Sequence, residues 1–343
     1  MTRTREIHLV RYPVSGVSAA DFEVADVALE PPAPGQVLVR NSWTSVDPGL
    51  RLRVAEHGPP GYFPAFPLHR ALDGIMAVGK VVESAAGGFA PGDTVWHAQG
   101  WREHAVVDAG AVALGGLGTL TKLDVESIAP RHYLGPLGGM GLTAYLGLVD
   151  AARLREGDIV WVSAAAGAVG SLAAQFARLL GHRAIGSAGS PDKVEYLLNT
   201  LRLDAAFDYN AGPVEELLRE AAPDGIDVYF DSVGGEHLEA ALSVLRPFGR
   251  VALCGAISNY ERAVPMGPRN LFQATANSLT LQGFRGSAYS SRVAAMQQQV
   301  RQWLAAGRLH VRETVYEGLG SAPQALVDVL AGRTLGKTMV HLP

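Results

Sequence analysis

Cysteine is almost missing from this sequence: Cys254 is the only one in 343 residues. One cysteine forms no intramolecular disulfide and builds no cysteine-rich zinc site. Long apolar runs are missing too, since none approaches the roughly 20 residues that span a bilayer. Charge of one sign is scarce, with 29 Lys and Arg against 33 Asp and Glu and a net charge of −4. That balance gives no reason to expect nucleic acid or an anionic membrane as a partner. The stretch from Met1 to Pro13 passes directly into strand-like sequence without the apolar core of a signal peptide, so the expected location is the cytoplasm.

What is present suits a globular chain of two domains: 48% of residues are hydrophobic, 18% are charged, and the length is about twice that of a typical domain. Roughly the first 125 residues read as short strands, such as Gln36 to Arg40 and Gly79 to Val82. They are divided by Pro31 to Gly35, Gly58 to Gly61 and Pro91 to Asp93. Gly110 to Gly118 reads as loop. Beyond about residue 130 strands and helices alternate, which predicts a doubly wound parallel sheet. Expected there are strands at Asp158–Ala165, Arg183–Ser187, Ile226–Phe230, Arg250–Cys254 and Leu279–Phe284. Helices are expected from Val169 to Leu180, ended by Gly181, and over Lys193–Leu198, His237–Leu245 and Val293–Ala306. Short strands and one helix, Ala322–Leu330, close the chain. The predicted class is α/β, a Rossmann domain over 129–306, with 1–128 and 307–343 forming a mostly β domain.

The segment Val162 to Gly170 lies where the first Rossmann strand meets its helix. On the dinucleotide fingerprint Ala165 takes the first glycine position, Gly167 the second and Gly170 the third. The second lets backbone approach a pyrophosphate, the third lets helix and strand pack closely, and the helix start offers free N–H groups. Ala166, Gly167, Ala168, Val169 and Gly170 are therefore the candidate phosphate cradle. A turn of small residues serving packing alone is the plainer alternative. The position after a strand and before an amphipathic helix favours the nucleotide.

An NAD site places an acid about 20 residues beyond the first glycine position. Ile185 to Ser190 contain none; Ser187 and Ser190 offer hydroxyls, and Lys193 follows one turn later. This pattern suits the 2′-phosphate of NADPH, although Lys193 also reads as a solvated helix lysine. Asp192 beside it reads as a helix-start acid.

Across nearly its whole length the chain resembles the prostaglandin/leukotriene reductase branch of the zinc-independent medium-chain dehydrogenase/reductases. The segments that carry the resemblance are Ser45-Val46-Asp47-Pro48 with Arg51, Gly141 to Tyr145, Ser163 to Gly170, Tyr229 to Gly235, Cys254 to Ser258, and Leu335-Gly336-Lys337. The resemblance implies a GroES-like catalytic domain made from both chain ends, a Rossmann domain between them, a cleft where they meet, and often a homodimer. It implies NADPH-dependent reduction of the C=C bond of α,β-unsaturated ketones and aldehydes, a small electrophilic substrate, and no metal. Lys193 and Tyr209 match the positions that hold the 2′-phosphate. Cys254, Gly255, Ala256, Ile257 and Ser258, with Tyr260, match the loop beside the nicotinamide. Ser232, Phe284 and Thr334 match positions near cofactor.

This sequence departs from the family at Ser232 and Thr334, where asparagine is frequent, at Gly49 and Trp43, where tyrosine is, and over Arg285 to Tyr289. Asp47 lies near the position of a zinc-ligand cysteine in the wider superfamily, yet reads as a turn cap. His69 reads as a surface histidine. In the implied reaction hydride reaches the β-carbon and charge develops on the carbonyl oxygen, where Tyr260 and a ribose hydroxyl are candidate donors. Tyr260 equally reads as a packing residue of the cleft, and Tyr62 and Tyr289 as pocket walls. Asp231, Glu236, Arg51 and His97 read as structural. A quinone reductase, or a non-catalytic NADPH-binding sensor, remains the alternative function.

Overall fold

The computed structural model describes residues 1–343 except 114–115, 127, 263 and 287–289. Seven strands come first: β1 (Thr2–Leu9), β2 (Phe22–Leu29), β3 (Gln36–Ser45), β4 (Ala77–Ser84), β5 (Thr94–His97), β6 (His104–Asp108) and β7 (Thr121–Lys122). Alternation then sets in with α1 (Gly139–Leu146), β8 (Ile159–Val162), α2 (Ala168–Leu179), β9 (Arg183–Ala188), α3 (Pro191–Glu195), β10 (Ala205–Asp208), α4 (Val214–Ala221) and β11 (Ile226–Asp231). It continues through α5 (Gly235–Val244), β12 (Leu245–Leu253), α6 (Phe272–Ala276), β13 (Thr280–Gly283) and α7 (Val293–Ala305), and the chain ends with β14 (Glu313–Glu317), α8 (Ala322–Leu330) and β15 (Lys337–His341).

Two compact units result. One comprises 1–135, 313–334 and 338–343; the other comprises 136–312 and 335–337. In the first, β1 and β2 pair antiparallel, and a seven-stranded sheet runs β14-β15-β3-β4-β5-β7 with β6 also on β3. Alternation along β3 turns Val37 and Val39 inward, where they meet Val81, Val95, Ala105 and Val107. A second core gathers Ile7, Leu9, Trp101 and Leu326. The β4–β5 hairpin is closed by Gly92 at φ +94 and by the Asp93 carboxylate, which accepts the Ala90 N–H at 2.9 Å.

The second unit is a six-stranded parallel sheet in the order β10-β9-β8-β11-β12-β13. Its middle strand β8 is buried at every position, as expected for parallel strands covered on both faces. The order reverses between β8 and β11, so the loops at their C-terminal ends open the crevice where such sheets bind ligands.

Element types agree with the sequence pattern, and several ends differ for local reasons. The first Rossmann strand stops at Val162 rather than Ala165, because Ser163 to Ala166 form the turn. The expected helix Lys193–Leu198 begins earlier, at Pro191 after the Ser190 cap, and widens into a π turn over Tyr196–Thr200. Helix α5 starts at Gly235 and releases Leu245 into β12, which is therefore longer than the expected Arg250–Cys254. Gly181 follows the α2 cap residue Leu180 with φ +95, the left-handed stop that glycine supplies. Asp47 stands at the N-cap of a short 3-10 turn, but its side chain makes no capping bond and is held instead by the Ser45 hydroxyl.

His97 illustrates how a polar group is buried in the first unit. Its Nδ1 accepts the Gln99 N–H at 3.1 Å, so Nε2 carries the proton and donates to Asn41 Oδ1 at 2.7 Å. Asn41 is fixed in turn by donating to the Gln99 and Arg102 carbonyls. Burial, with a smaller push from Arg102, lowers the His97 pKa to about 3. The folded state thus keeps the ring neutral while the unfolded chain takes up a proton below its ordinary pKa of 6.5. This contribution is fully present above pH 6.5 and is lost as pH falls toward 3. In urea titrations His97→Gln should lose stability less steeply than wild type between pH 6 and pH 4, by up to about 1.4 kcal/mol per pH unit. Parallel profiles would show that His97 is not held neutral.

Candidate nucleotide and active site

The glycine turn is built by backbone contact. A Cβ on Gly170 would collide with the Ala164 carbonyl and stand 3.0 Å from the Ala165 Cα, so α2 approaches the turn more closely than any other residue allows. At Gly167, the N-cap of α2, a Cβ would lie 3.2 Å from the Ala164 oxygen. The left-handed residue of the turn is Ala164, at φ +48, one position before the first fingerprint position, Ala165. Ala165 is fully buried, and a Cβ on Gly186 of β9 would press to 2.9 Å on its methyl.

No side chain caps α2, so the first-turn N–H groups of Ala168, Val169 and Gly170 face outward from a helix of 12 residues. That arrangement fits a pyrophosphate. A third strand of chain joins it: Gly336 N–H donates to the Ala166 carbonyl at 2.8 Å, and Gly336 bridges to Gly167. Gly336 has φ +70, and a Cβ there would strike the Arg312 carbonyl, which also accepts the Lys337 N–H at 2.9 Å. The Leu335-Gly336-Lys337 segment carries family resemblance, but nothing in its spacing announces that it reaches the turn. Thr334 directly precedes it and is half-buried.

At the end of β9 the candidates separate. The Ser187 side chain is fully buried, and its hydroxyl lies 3.2 Å from Trp161 Nε1, whose N–H it accepts. Its oxygen thus takes one donor from within the sheet. Ser190, Lys193 and Tyr209 come together instead. The Ser190 hydroxyl caps α3 by accepting the Lys193 N–H at 3.4 Å. Lys193 is half-buried, and that burial lowers its pKa from the ordinary lysine value. Tyr209 is half-buried, with its phenol against Gly189. Burial first, then the Asp208 charge, raises its pKa.

The second cluster lies at the ends of β11 and β12. Asp231 is buried, and its Oδ1 accepts from the Tyr229 hydroxyl at 2.8 Å and from the N–H groups of Val233 and Gly234 at 2.9 and 2.7 Å. Burial raises its carboxyl pKa against the pull of those three donors. Its backbone carbonyl accepts the N–H groups of Cys254 and Gly255. Asp231 therefore fixes two loops at once, which is the structural part expected of it. Gly234 and Gly235 turn with φ +70 and +51, and Cβ atoms there would press on Ala256 at 3.1 Å and the Ser258 hydroxyl at 3.0 Å. The zipper continues through Ile257 N–H to the Ser232 carbonyl and the Ser258 hydroxyl to the Val233 carbonyl at 2.7 Å.

Tyr260 ends the short turn Ile257–Asn259, and its hydroxyl lies 3.2 Å from where a Cβ on Gly255 would stand. The Cys254 thiol is driven up to about 12 by burial, so it is protonated at neutral pH. Phe284 packs edge-on against Phe230 at 6.2 Å, and the two rings fill the space a side chain at Gly147 would need.

In the other unit the Tyr62 hydroxyl lies 3.5 Å from where a Cβ on Gly49 would be, so Tyr62 stands beside the position where the family often has a tyrosine. Arg51 donates to the Val54 carbonyl, and His69 is exposed, 3.8 Å from Glu23. Glu236 lies in the first turn of α5. Tyr289 lies outside the described residues. Among the described residues no three His, Cys, Asp or Glu side chains form a set able to hold a metal ion.

Comparison with known proteins follows the same two-part division. A domain family described as the N-terminal domain of oxidoreductase matches residues 5–114, and one described as zinc-binding dehydrogenase matches 168–305. Prostaglandin reductase 1 of Mus musculus is 37% identical over 349 residues, covering 98% of this chain and 97% of that protein. The NADP(+)-dependent 2-alkenal reductase of Nicotiana tabacum is 34% identical, covering 98% of this chain and 96% of its own. The crystal structure of CurA from Vibrio vulnificus in complex with NADPH superposes with a TM-score of 0.91 at 32% identity, over 99% of each chain. The chain is thus an NADP-dependent oxidoreductase, and it belongs to the zinc-independent medium-chain dehydrogenase/reductases, in the branch of the prostaglandin and alkenal reductases.

Proposed function

We propose that this enzyme reduces the C=C bond of α,β-unsaturated ketones or aldehydes at the expense of NADPH. The observation that carries the reading is the Tyr260 hydroxyl held over Gly255 on a loop zipped to the 231–235 turn. It occurs in a chain whose full-length relatives are named as alkenal and prostaglandin reductases. NADPH, when bound, supplies the hydride.

The chain's own residues do the rest. The α2 N-terminus with Gly167 and Gly336 would hold the pyrophosphate, and Lys193, Ser190 and Tyr209 the 2′-phosphate. The loop from Cys254 to Ser258, with Ser232 and Phe284, would border the nicotinamide. Tyr260 donates to the substrate carbonyl oxygen as negative charge builds there, and water or the same phenol returns the proton to the α-carbon. The protonated Cys254 thiol takes no part as a nucleophile.

The reading extends to a homodimer in the cytoplasm. β13 is the edge of the parallel sheet, and Val264 and Phe272 nearby in sequence are 75% and 76% exposed, with Met266 and Leu271 also in the open. We read this edge, which has no further strand among the described residues, and these exposed apolar side chains as parts of a surface that a second copy covers. No helix among the described residues is long and apolar enough to cross a membrane.

Steady-state turnover of an unhindered enone with NADPH is the direct test, set beside a simple quinone. Enone reduction is expected, and strong quinone activity without it would overturn the assignment. In the same assay Tyr260→Phe should lower kcat at least about tenfold while the KM for NADPH moves by less than about twofold. Unchanged kcat would return Tyr260 to packing. Lys193→Glu should raise the KM for NADPH by about 100-fold and leave that for NADH nearly unchanged, since only NADPH brings a phosphate to repel. Equal effects on both would refute its role. Sedimentation should give twice the mass of one chain; a monomer would reject the paired edge.

A further inference from the structure

The phosphate end of the nucleotide site has an aromatic back wall. A Cβ on Gly189 would run into the Tyr209 hydroxyl and come within 2.8 Å of its Cζ, so the phenol occupies the place where any other residue would carry a side chain. Gly189 directly precedes Ser190, the cap of α3, and Lys193 follows in the first turn. The backbone at Tyr209 is tied to the same turn, through its N–H to the Ala188 carbonyl at 3.0 Å and Asn210 Nδ2 to the Gly189 carbonyl at 3.0 Å. These bonds fix the main chain. They leave the direction of the ring to what packs against it.

His237 is what packs there. Its ring meets Tyr209 edge to face, with centroids 5.1 Å apart and planes at 77°. It lies in the first turn of α5, 6% exposed, and stacks on Trp161 at 5.9 Å and 14°. Trp161 in turn stacks on Tyr229 at 4.3 Å, and Tyr229 is the residue that donates to Asp231. A continuous file of rings thus runs from the Asp231 turn to the Ser190–Lys193 turn.

We infer that His237 is a positioning residue for NADPH selectivity: it holds the Tyr209 phenol over Gly189, beside Ser190 and Lys193, where a 2′-phosphate would accept its proton. The inference rests on reading Lys193 and Tyr209 as the 2′-phosphate contacts. His237 acts as a flat plate and not as a charge. Its Nε2 is buried with no hydrogen-bond partner among the described residues, and burial lowers its pKa to about 4. A neutral ring in edge-to-face contact is replaceable by another ring of similar size. Gly189 is the matching requirement on the opposite side, because a methyl group there would push the phenol away.

Calorimetric binding of 2′,5′-ADP and of 5′-AMP to the whole enzyme separates the phosphate contact from the rest of the nucleotide. Gly189→Ala should weaken 2′,5′-ADP about tenfold and leave 5′-AMP within about twofold. His237→Ala should act in the same selective way, and His237→Phe should restore wild-type binding. The KM for NADPH should follow, with kcat at saturation unchanged. Equal weakening of both nucleotides in His237→Ala, or no rescue by phenylalanine, overturns the positioning role. Should His237→Ala not fold, Gly189→Ala at its half-buried turn still decides: unaltered 2′,5′-ADP binding there overturns the inference. A wild-type enzyme that binds 2′,5′-ADP no tighter than 5′-AMP fails at the earlier step, the phosphate reading itself, and removes the inference with it.

Discussion

The nucleotide unit depends on one close approach, the backbone of α2 lying against the turn that leaves β8. At Gly170 there is no room even for a methyl group between the helix and the Ala164 carbonyl. This contact aims the first-turn N–H groups of α2 at a common point and sets the distance at which Gly167 can meet a ligand. The left-handed turn that permits it is made by an alanine, at a cost of about 1–2 kcal/mol relative to glycine. That cost is sustained because Ala165 is buried and wedged against Gly186 of the next strand, while Ala166 is tied to Gly336.

A second constraint governs the other end of the crevice. One oxygen of Asp231 collects three donors and its backbone carbonyl two more, so a single residue sets both the 231–235 turn and the loop that bears Tyr260. A buried carboxylate is costly unless fully bonded, and here the bonding is what gives the loops their shape. The chemistry proposed for Tyr260 thus depends on a residue that does not touch substrate. The glycines of the turn leave room for Ala256 and Ser258, which join the two loops into one wall.

Much of this was legible in the residues alone. Alternating strand and helix periods gave the doubly wound sheet because β8 and β11 are short apolar runs and α2 is strongly amphipathic. Gly170 was readable because the fingerprint spacing encodes a steric need that only glycine meets. The contact of Ser187 with the Trp161 indole was not legible, because a hydroxyl at the right spacing looks the same whether it faces ligand or core. Which residue of the turn is left-handed was not legible, since Ala164 and Ala165 are identical in chemistry and differ only in backbone angle. The partnership of Gly189 with Tyr209 and His237 was beyond reach for another reason: contacts between separate βα units leave no periodic trace in sequence.

The joining of Gly336 to Gly167 has a consequence for the order in which the protein is made. The glycine turn is synthesised near the middle of the chain, yet one of its backbone partners emerges from the ribosome roughly 170 residues later. At ordinary elongation rates that is a delay of about 10 to 30 seconds. During it the parallel sheet can assemble with its cradle short of one strand and Arg312 lacking its partner at Lys337. The nascent enzyme would pass through a stage with a formed sheet and an incomplete nucleotide cradle, so full cofactor capture would wait until Gly336 has emerged.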